Sequence, residues 1–184
     1  MTVNCLKDHF LIAMPGLVDE RFRQSVTYIC EHHDNGALGI TINRAIDFTL
    51  GELFEQLDYQ SDADNTVPLL LGGPVQKQRG FVLHSTEKQW ETTISVSDEV
   101  CITGSKDILQ AMAAEEGPQE ALVALGYAGW DAGQLESEVA NNSWLTVPAN
   151  KHIIFNVPLE KRWTAAAAEL GIDMHLLSSQ AGHA

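Results

Sequence analysis

The stretch Ser25–Asn43, SVTYICEHHDNGALGITIN, sets two runs rich in β-branched and aromatic residues on either side of Asp34-Asn35-Gly36. Asn-Gly between such runs signals a β-hairpin, because a type I′ turn needs positive φ at both central residues. With Asn35-Gly36 as the two-residue loop, Tyr28, Cys30 and His32 share a face with Gly39, Thr41 and Asn43, while Ile29 and Glu31 face Leu38, Ile40 and Ile42. This register puts Glu31 on an apolar face. A one-residue slip reverses every assignment, so Glu31 is either a half-buried acid of functional interest or the sign of a longer turn. Both readings stay open at this point.

Working outward, His9 to Met14 is a short apolar run stopped by Pro15-Gly16, and Leu69 to Leu71, Gly80 to Ser85, Thr92 to Ile102 and Ala121 to Tyr127 read as further strands. Thr49-Leu50-Gly51-Glu52 has the form of a capping box. Leu50, Leu53, Phe54 and Leu57 follow it at i, i+3, i+4 and i+7, which describes an amphipathic helix. A second helix is expected from a cap at Ser105 to the stop at Gly117-Pro118, a third from Asp131-Ala132-Gly133-Gln134, and a fourth through Leu159, Trp163, Ala166, Ala167 and Leu170. His152 to Val157 reads as a last strand. Tyr59 to Asn65 is polar and reads as a loop. No composition shift marks a boundary, so the expectation is one α+β domain over residues 1–184: a mixed, mostly antiparallel sheet with an N-terminal hairpin and about four helices packed on it.

The chain has 184 residues, enough to bury roughly 70% of its unfolded surface without disulfide staples. Eleven Lys and Arg stand against 25 Asp and Glu, a net charge of −14. That field repels phosphate backbones and anionic lipid, so nucleic acid and membrane are not expected partners. Cys5, Cys30 and Cys101 are widely spaced and form no CxxC or zinc-type pattern. Met1 to Lys7 lacks the basic and apolar regions of a signal peptide, and no apolar run reaches the roughly 18 residues of a membrane span. The expected location is the cytoplasm.

The sequence contains no GxSxG elbow, GxxxxGK[ST] loop, HExxH or GxGxxG. Gly126-Tyr127-Ala128-Gly129-Trp130-Asp131 reads as a strand-to-helix junction whose backbone N–H groups could face an anion. Asp131, Gln134 and Glu138 form a polar stripe on the helix that follows, which is either a binding surface or a solvated face. Trp130 and Trp144 flank that helix and either wall a pocket or pack in the core. Gly72-Gly73-Pro74 with Lys77 and Arg79 suits an acidic ligand or a plain tight turn. His32, His33 and His84 are candidate general bases outside any metal-ligand spacing, and neither a metal nor a cofactor is expected. Cys30 beside His32 has the form of a nucleophile and base without an orienting third group.

Three blocks together resemble the AlgH/YqgE family of bacterial proteins. They are Met14-Pro15-Gly16-Leu17 with Asp19, Phe22 and Ser25 to Asn43; Gly72-Gly73-Pro74-Val75 with Arg79 to Ser85; and Gly126 to Asp131 with Gly133 to Glu138 and Trp144-Leu145. The resemblance spans about residues 9–147. It implies a cytosolic α+β fold with no established activity and a regulator label on some members. Three functions follow. The first is an adaptor that binds a protein partner through Asp19 and its loop, Gly73, Arg79 and the Trp130–Glu138 region, including Gln134. The second is a small-molecule sensor or enzyme in which Glu31, His32, His84 and Glu138 converge. The third, direct DNA binding, ranks last, since no basic recognition helix is visible.

Overall fold

Strands dominate the first half of the chain, as the alternation around Asn35 requires. The computed structural model of the protein describes residues 5–17, 19–61 and 65–181. In chain order they form β1 (His9–Ala13), β2 (Val26–His33), β3 (Gly36–Thr41), β4 (Ala45–Thr49), α1 (Leu50–Gln56), β5 (Pro68–Leu71), β6 (Val75–His84), β7 (Ile94–Ser95) and β8 (Cys101–Thr103). Then come α2 (Asp107–Ala113), β9 (Ala121–Asp131), α3 (Gln134–Ala140), β10 (Trp144–Pro148), α4 (Lys151–Phe155), α5 (Arg162–Ala168) and α6 (Met174–Ala181). The ten strands make one sheet in the order β10-β1-β2-β3-β9-β6-β8-β7, with β5 beside β9 and β4 beside β5. The β5–β9 pairing is parallel and the other pairings are antiparallel.

The period of two along each strand decides which core receives which side chain. Phe10, Ile12, Tyr28 and Ile40 point to one face, where Ile153, Ile154, Trp163, Ala166 and Met174 of α4 to α6 cover them. Leu11, Ala13 and Ile29 point to the opposite face and meet Leu135 of α3 with Trp130 and Trp144. A third layer joins Leu50 and Phe54 of α1 and Ile108 of α2 to Leu69, Val82 and Val123.

Strand β9 belongs to two neighbourhoods. Its first half pairs with β5 and β6, and its second half pairs with β3. The change falls at Gly126, whose φ is +77°. Here Val75 pairs with Tyr127 and Gly80 with Leu125, so the four residues Gln76 to Arg79 stand opposite Gly126 alone. A Cβ on Gly126 would lie 2.5 Å from the Gly73 carbonyl oxygen. Only glycine combines that φ with that contact. The result is a bulge in β6 whose residues Gln76 to Arg79 are exposed, while the Lys77 backbone stays packed against Gly126.

The structure corrects several expectations. The hairpin forms, but His33 pairs with Gly36, so Asp34-Asn35 is the loop. Gly36 is required by packing: a Cβ there would sit 2.2 Å from the Trp130 carbonyl oxygen. A second irregularity lies between Ile29 and Glu31, which leaves Cys30 as an extra residue in β2 and undoes the expected face assignments. His152 to Val157 is helical at its start, because Asn150 caps α4 by accepting from the His152 N–H at 2.9 Å. Six α-helices are present among the described residues, where about four were expected. The capping box at Thr49 is formed, with the Glu52 N–H donating to its hydroxyl. Ser105 does not cap α2; its hydroxyl donates to Asp107 Oδ1 instead. Gly126 to Asp131 lies within β9, where the stretch from Ala128 to Asp131 is laddered to β3 rather than forming a strand-to-helix junction. The loop from Tyr59 to Asn65 lies partly outside the described residues, and no described helix is long and apolar enough to cross a membrane.

Candidate functional site

The extra residue in β2 determines what Cys30, Glu31 and His32 can do. Cys30 enters the core under α4 to α6, where burial pushes its thiol above the ordinary cysteine range. His32 goes to the other face. Its Nδ1 accepts from the Leu6 N–H at 2.9 Å, so the proton sits on Nε2, which donates to Glu136 at 2.5 Å. That hydrogen bond holds the Glu136 carboxyl below its usual range. The sheet therefore separates the Cys30 thiol from the His32 imidazole. Glu31 follows Cys30, and both line one cavity with Arg79.

On the α3 side the polar stripe is partly turned inward. Glu138 Oε1 accepts from both indoles, Trp130 Nε1 at 3.2 Å and Trp144 Nε1 at 3.0 Å, and Oε2 accepts from Gln134 Nε2 at 2.9 Å. Phe22 packs on both rings, with centroids 6.5 Å from Trp130 and 5.5 Å from Trp144. Both tryptophans are buried, at 6% and 3% exposure. Gln134 Oε1 also accepts from the Asp131 N–H, as a capping box would.

His84 is fully buried between two partners. The Ser85 carbonyl can only accept, so Nδ1 donates to it at 2.7 Å and Nε2 accepts from the Thr103 hydroxyl at 2.7 Å. Thr93 extends the chain to Thr103, also at 2.7 Å, and accepts from the Trp90 N–H. Burial lowers the imidazole's affinity for a proton. These bonds tie the segment around Trp90 to the sheet.

Asp19 caps a short 3-10 turn, accepting from the Arg21 N–H at 3.0 Å and forming an ion pair with the Arg21 guanidinium at 2.8 Å. The hydrogen bonds from the Arg21 guanidinium hold its carboxyl below the usual range. Asn43 joins two segments: Oδ1 accepts from the Val26 N–H and Nδ2 donates to the Gln24 carbonyl. At Gly73 the backbone runs so close to β9 that a Cβ would lie 2.1 Å from the Tyr127 carbonyl carbon.

Arg79 stands apart from these bonded groups. It is exposed on the β6 bulge, and its guanidinium lies 5.0 Å from the centre of the Phe81 ring. Arg79, Phe81 and Gly104 line two adjoining cavities. One, of about 260 Å³, lies between α1 and α2, with Leu53, Leu57 and Leu109 along its sides, Val123 and Leu125 from β9, and Lys106 at its edge. The other, of about 300 Å³, is lined by Cys30, Glu31, Leu38, Thr92, Ile94 and Ile102. Among the described residues neither Arg79 nor Lys106 makes an ion pair. The acid next to Lys106, Asp107, is already engaged: Oδ2 accepts from the Glu91 N–H at 2.8 Å and Oδ1 from Ser105 and the Ile108 N–H.

The structure thus brings Glu31 to Arg79, and Trp130 and Gln134 to Glu138. It gives His32 and His84 partners elsewhere. Sequence reasoning missed Lys106 and the leucines of α1 and α2. A cation just ahead of a helix, opposite the i, i+4 pair Leu53 and Leu57, was the available signal.

A ten-stranded, largely antiparallel sheet with helices on both faces, carrying an open groove on a bulged strand, defines the class: a mixed α/β domain built around one sheet. The AlgH-like family model matches residues 10–175. The chain belongs to that family. It is 54% identical over 180 residues to a UPF0301 protein of Saccharophagus degradans, covering 97% of this chain and 89% of that one. A UPF0301 protein of Thioalkalivibrio sulfidiphilus is 56% identical over 178 residues, covering 96% of each. The solution structure of the AlgH protein from Pseudomonas aeruginosa matches with a TM-score of 0.82 at 47% identity, covering 100% of this chain and 98% of that one. A crystal structure from Corynebacterium diphtheriae shares the fold, with a TM-score of 0.76 at 18% identity over 97% of this chain and 94% of that one. None of these names states an activity.

Proposed function

We propose that this protein is a cytoplasmic regulatory domain that binds a small molecule in the groove around Arg79. One observation carries the reading: an exposed guanidinium that makes no ion pair among the described residues lines both of two adjoining, largely apolar cavities. Ligand sites are concave, largely apolar and supplied with a few placed polar groups, and this groove has that composition. An adaptor surface that includes the Trp130–Glu138 region has less support, since both indoles there are packed and bonded to Glu138. Catalysis has less support, because Cys30 on the groove wall has a raised thiol pKa and the sheet separates it from His32.

A thermal-shift screen of the purified protein against metabolites tests the proposal. A ligand at 100 times its Kd adds about 2.7 kcal/mol to stability, a rise of roughly 5–10 °C for a domain of this size. The rise is expected to vanish in Arg79→Met and persist in Glu138→Gln. A rise that Arg79→Met leaves intact places the ligand elsewhere.

A further inference from the structure

The cavity between α1 and α2 carries more chemical detail than a generic groove. Acids outnumber bases by 25 to 11 in this chain, yet the charged residues on this cavity's wall are Arg79 and Lys106 alone. The other polar residues there, Gln78, Thr103 and Ser105, are neutral. Most of the wall is hydrocarbon. Leu53 on α1 and Leu57 at its C-cap lie four residues apart and are only half-buried, so the apolar face of that helix is incompletely covered where it meets the cavity.

We infer that this cavity takes a small organic anion with an apolar body, its carboxylate or other anionic head between Arg79 and Lys106 and its body among Leu53, Leu57 and Leu109. The inference rests on the preceding proposal that the Arg79 groove is a binding site and names the ligand class for one of its two cavities. Arg79 is the anchor. Its guanidinium packs on the Phe81 ring, which restrains the fork while leaving its edge donors available for a two-bond contact with a carboxylate. Lys106, on the wall of the same cavity, adds a second positive charge as a flexible ammonium. A sugar phosphate would leave its hydroxyls against leucines, and a dinucleotide exceeds about 260 Å³. The neighbouring cavity differs in charge, since Glu31 shares its wall with Arg79, and it would favour a ligand that carries a cation.

The test is an amide NMR titration of the full chain with four probes: octanoate and 2-naphthoate as anions, octan-1-ol as the neutral analogue and octylammonium as the cation. At least one anion is expected to shift the amides of Leu53, Arg79, Gly104 to Lys106 and Leu109, and to bind about tenfold or more tightly than octan-1-ol. Arg79→Met and Lys106→Met should each remove most of that preference. Both side chains are exposed, so both variants are expected to fold. Equal binding of octanoate and octan-1-ol overturns the anion class. Octylammonium shifting Glu31 and Thr92, with loss in Glu31→Gln, overturns the class while the binding-site proposal stands. If no probe perturbs either cavity, both fail.

Discussion

The α3 face and the Arg79 groove hold similar kinds of residue and use them oppositely. Under α3 the polar atoms are matched: Glu138 receives two indoles and an amide, and His32 joins Leu6 to Glu136. At the groove, two cations and three half-buried leucines face open space. Polar residues in a cleft are therefore a poor guide to function unless their bonds are counted. Satisfied groups hold the fold together, whereas unsatisfied ones beside a cavity are available to a ligand.

The contrast predicts a gradient of stability effects. Glu138→Ala should be the most damaging, because it strands two buried indole N–H donors; a loss of about 3 kcal/mol is expected from the cost of unsatisfied donors, read as a lower urea midpoint. Glu138→Gln, which retains an acceptor, should recover much of it. His32→Ala should lose roughly 1–2 kcal/mol, since the Leu6 N–H and Glu136 both lose their partner. Comparable losses in Arg79→Met would erase the distinction between the two regions.

Burial depresses the His84 imidazole pKa below its ordinary value near 6.5, so on acidification the unfolded chain takes up a proton before the folded one. Stability present above about pH 6.5 is then lost as pH falls below it. Urea midpoints at pH 7.5 and 5.5 should fall further in the wild type than in His84→Gln. A matching fall in both would mean that His84 does not contribute. Glu136 acts in a separate, lower window: its depressed pKa adds stability that is lost only as pH drops below the usual carboxylate range. The smallest change is expected for Arg79→Met, within about 0.5–1 kcal/mol, the worth of its contact with Phe81.

The largely antiparallel sheet and the helix at Leu50 were legible because alternation and a capping box are local signals. The register of β2 was not. Asn35-Gly36 suggested the loop, but Gly36 answers to the Trp130 carbonyl 94 positions away in sequence, and the extra residue at Cys30 has no signature in composition. That residue is also why Glu31 can line the groove on the same side as Cys30. The stripe Asp131, Gln134, Glu138 was visible as polar, but not which member would turn toward the indoles. Lys106 and Leu109 went unremarked as site residues because a cavity between two helices is a property of their separation, and no spacing along the chain encodes it.

The bulge in β6 has a consequence for how this family can diversify. Because Gln76 to Arg79 face a single residue of β9, their number is not dictated by the ladder on either side. Residues can be gained or lost there without shifting the pairing of Phe81, Val82 and Leu83. An insertion or deletion in this segment would change its reach and charge while the sheet beneath stays in register.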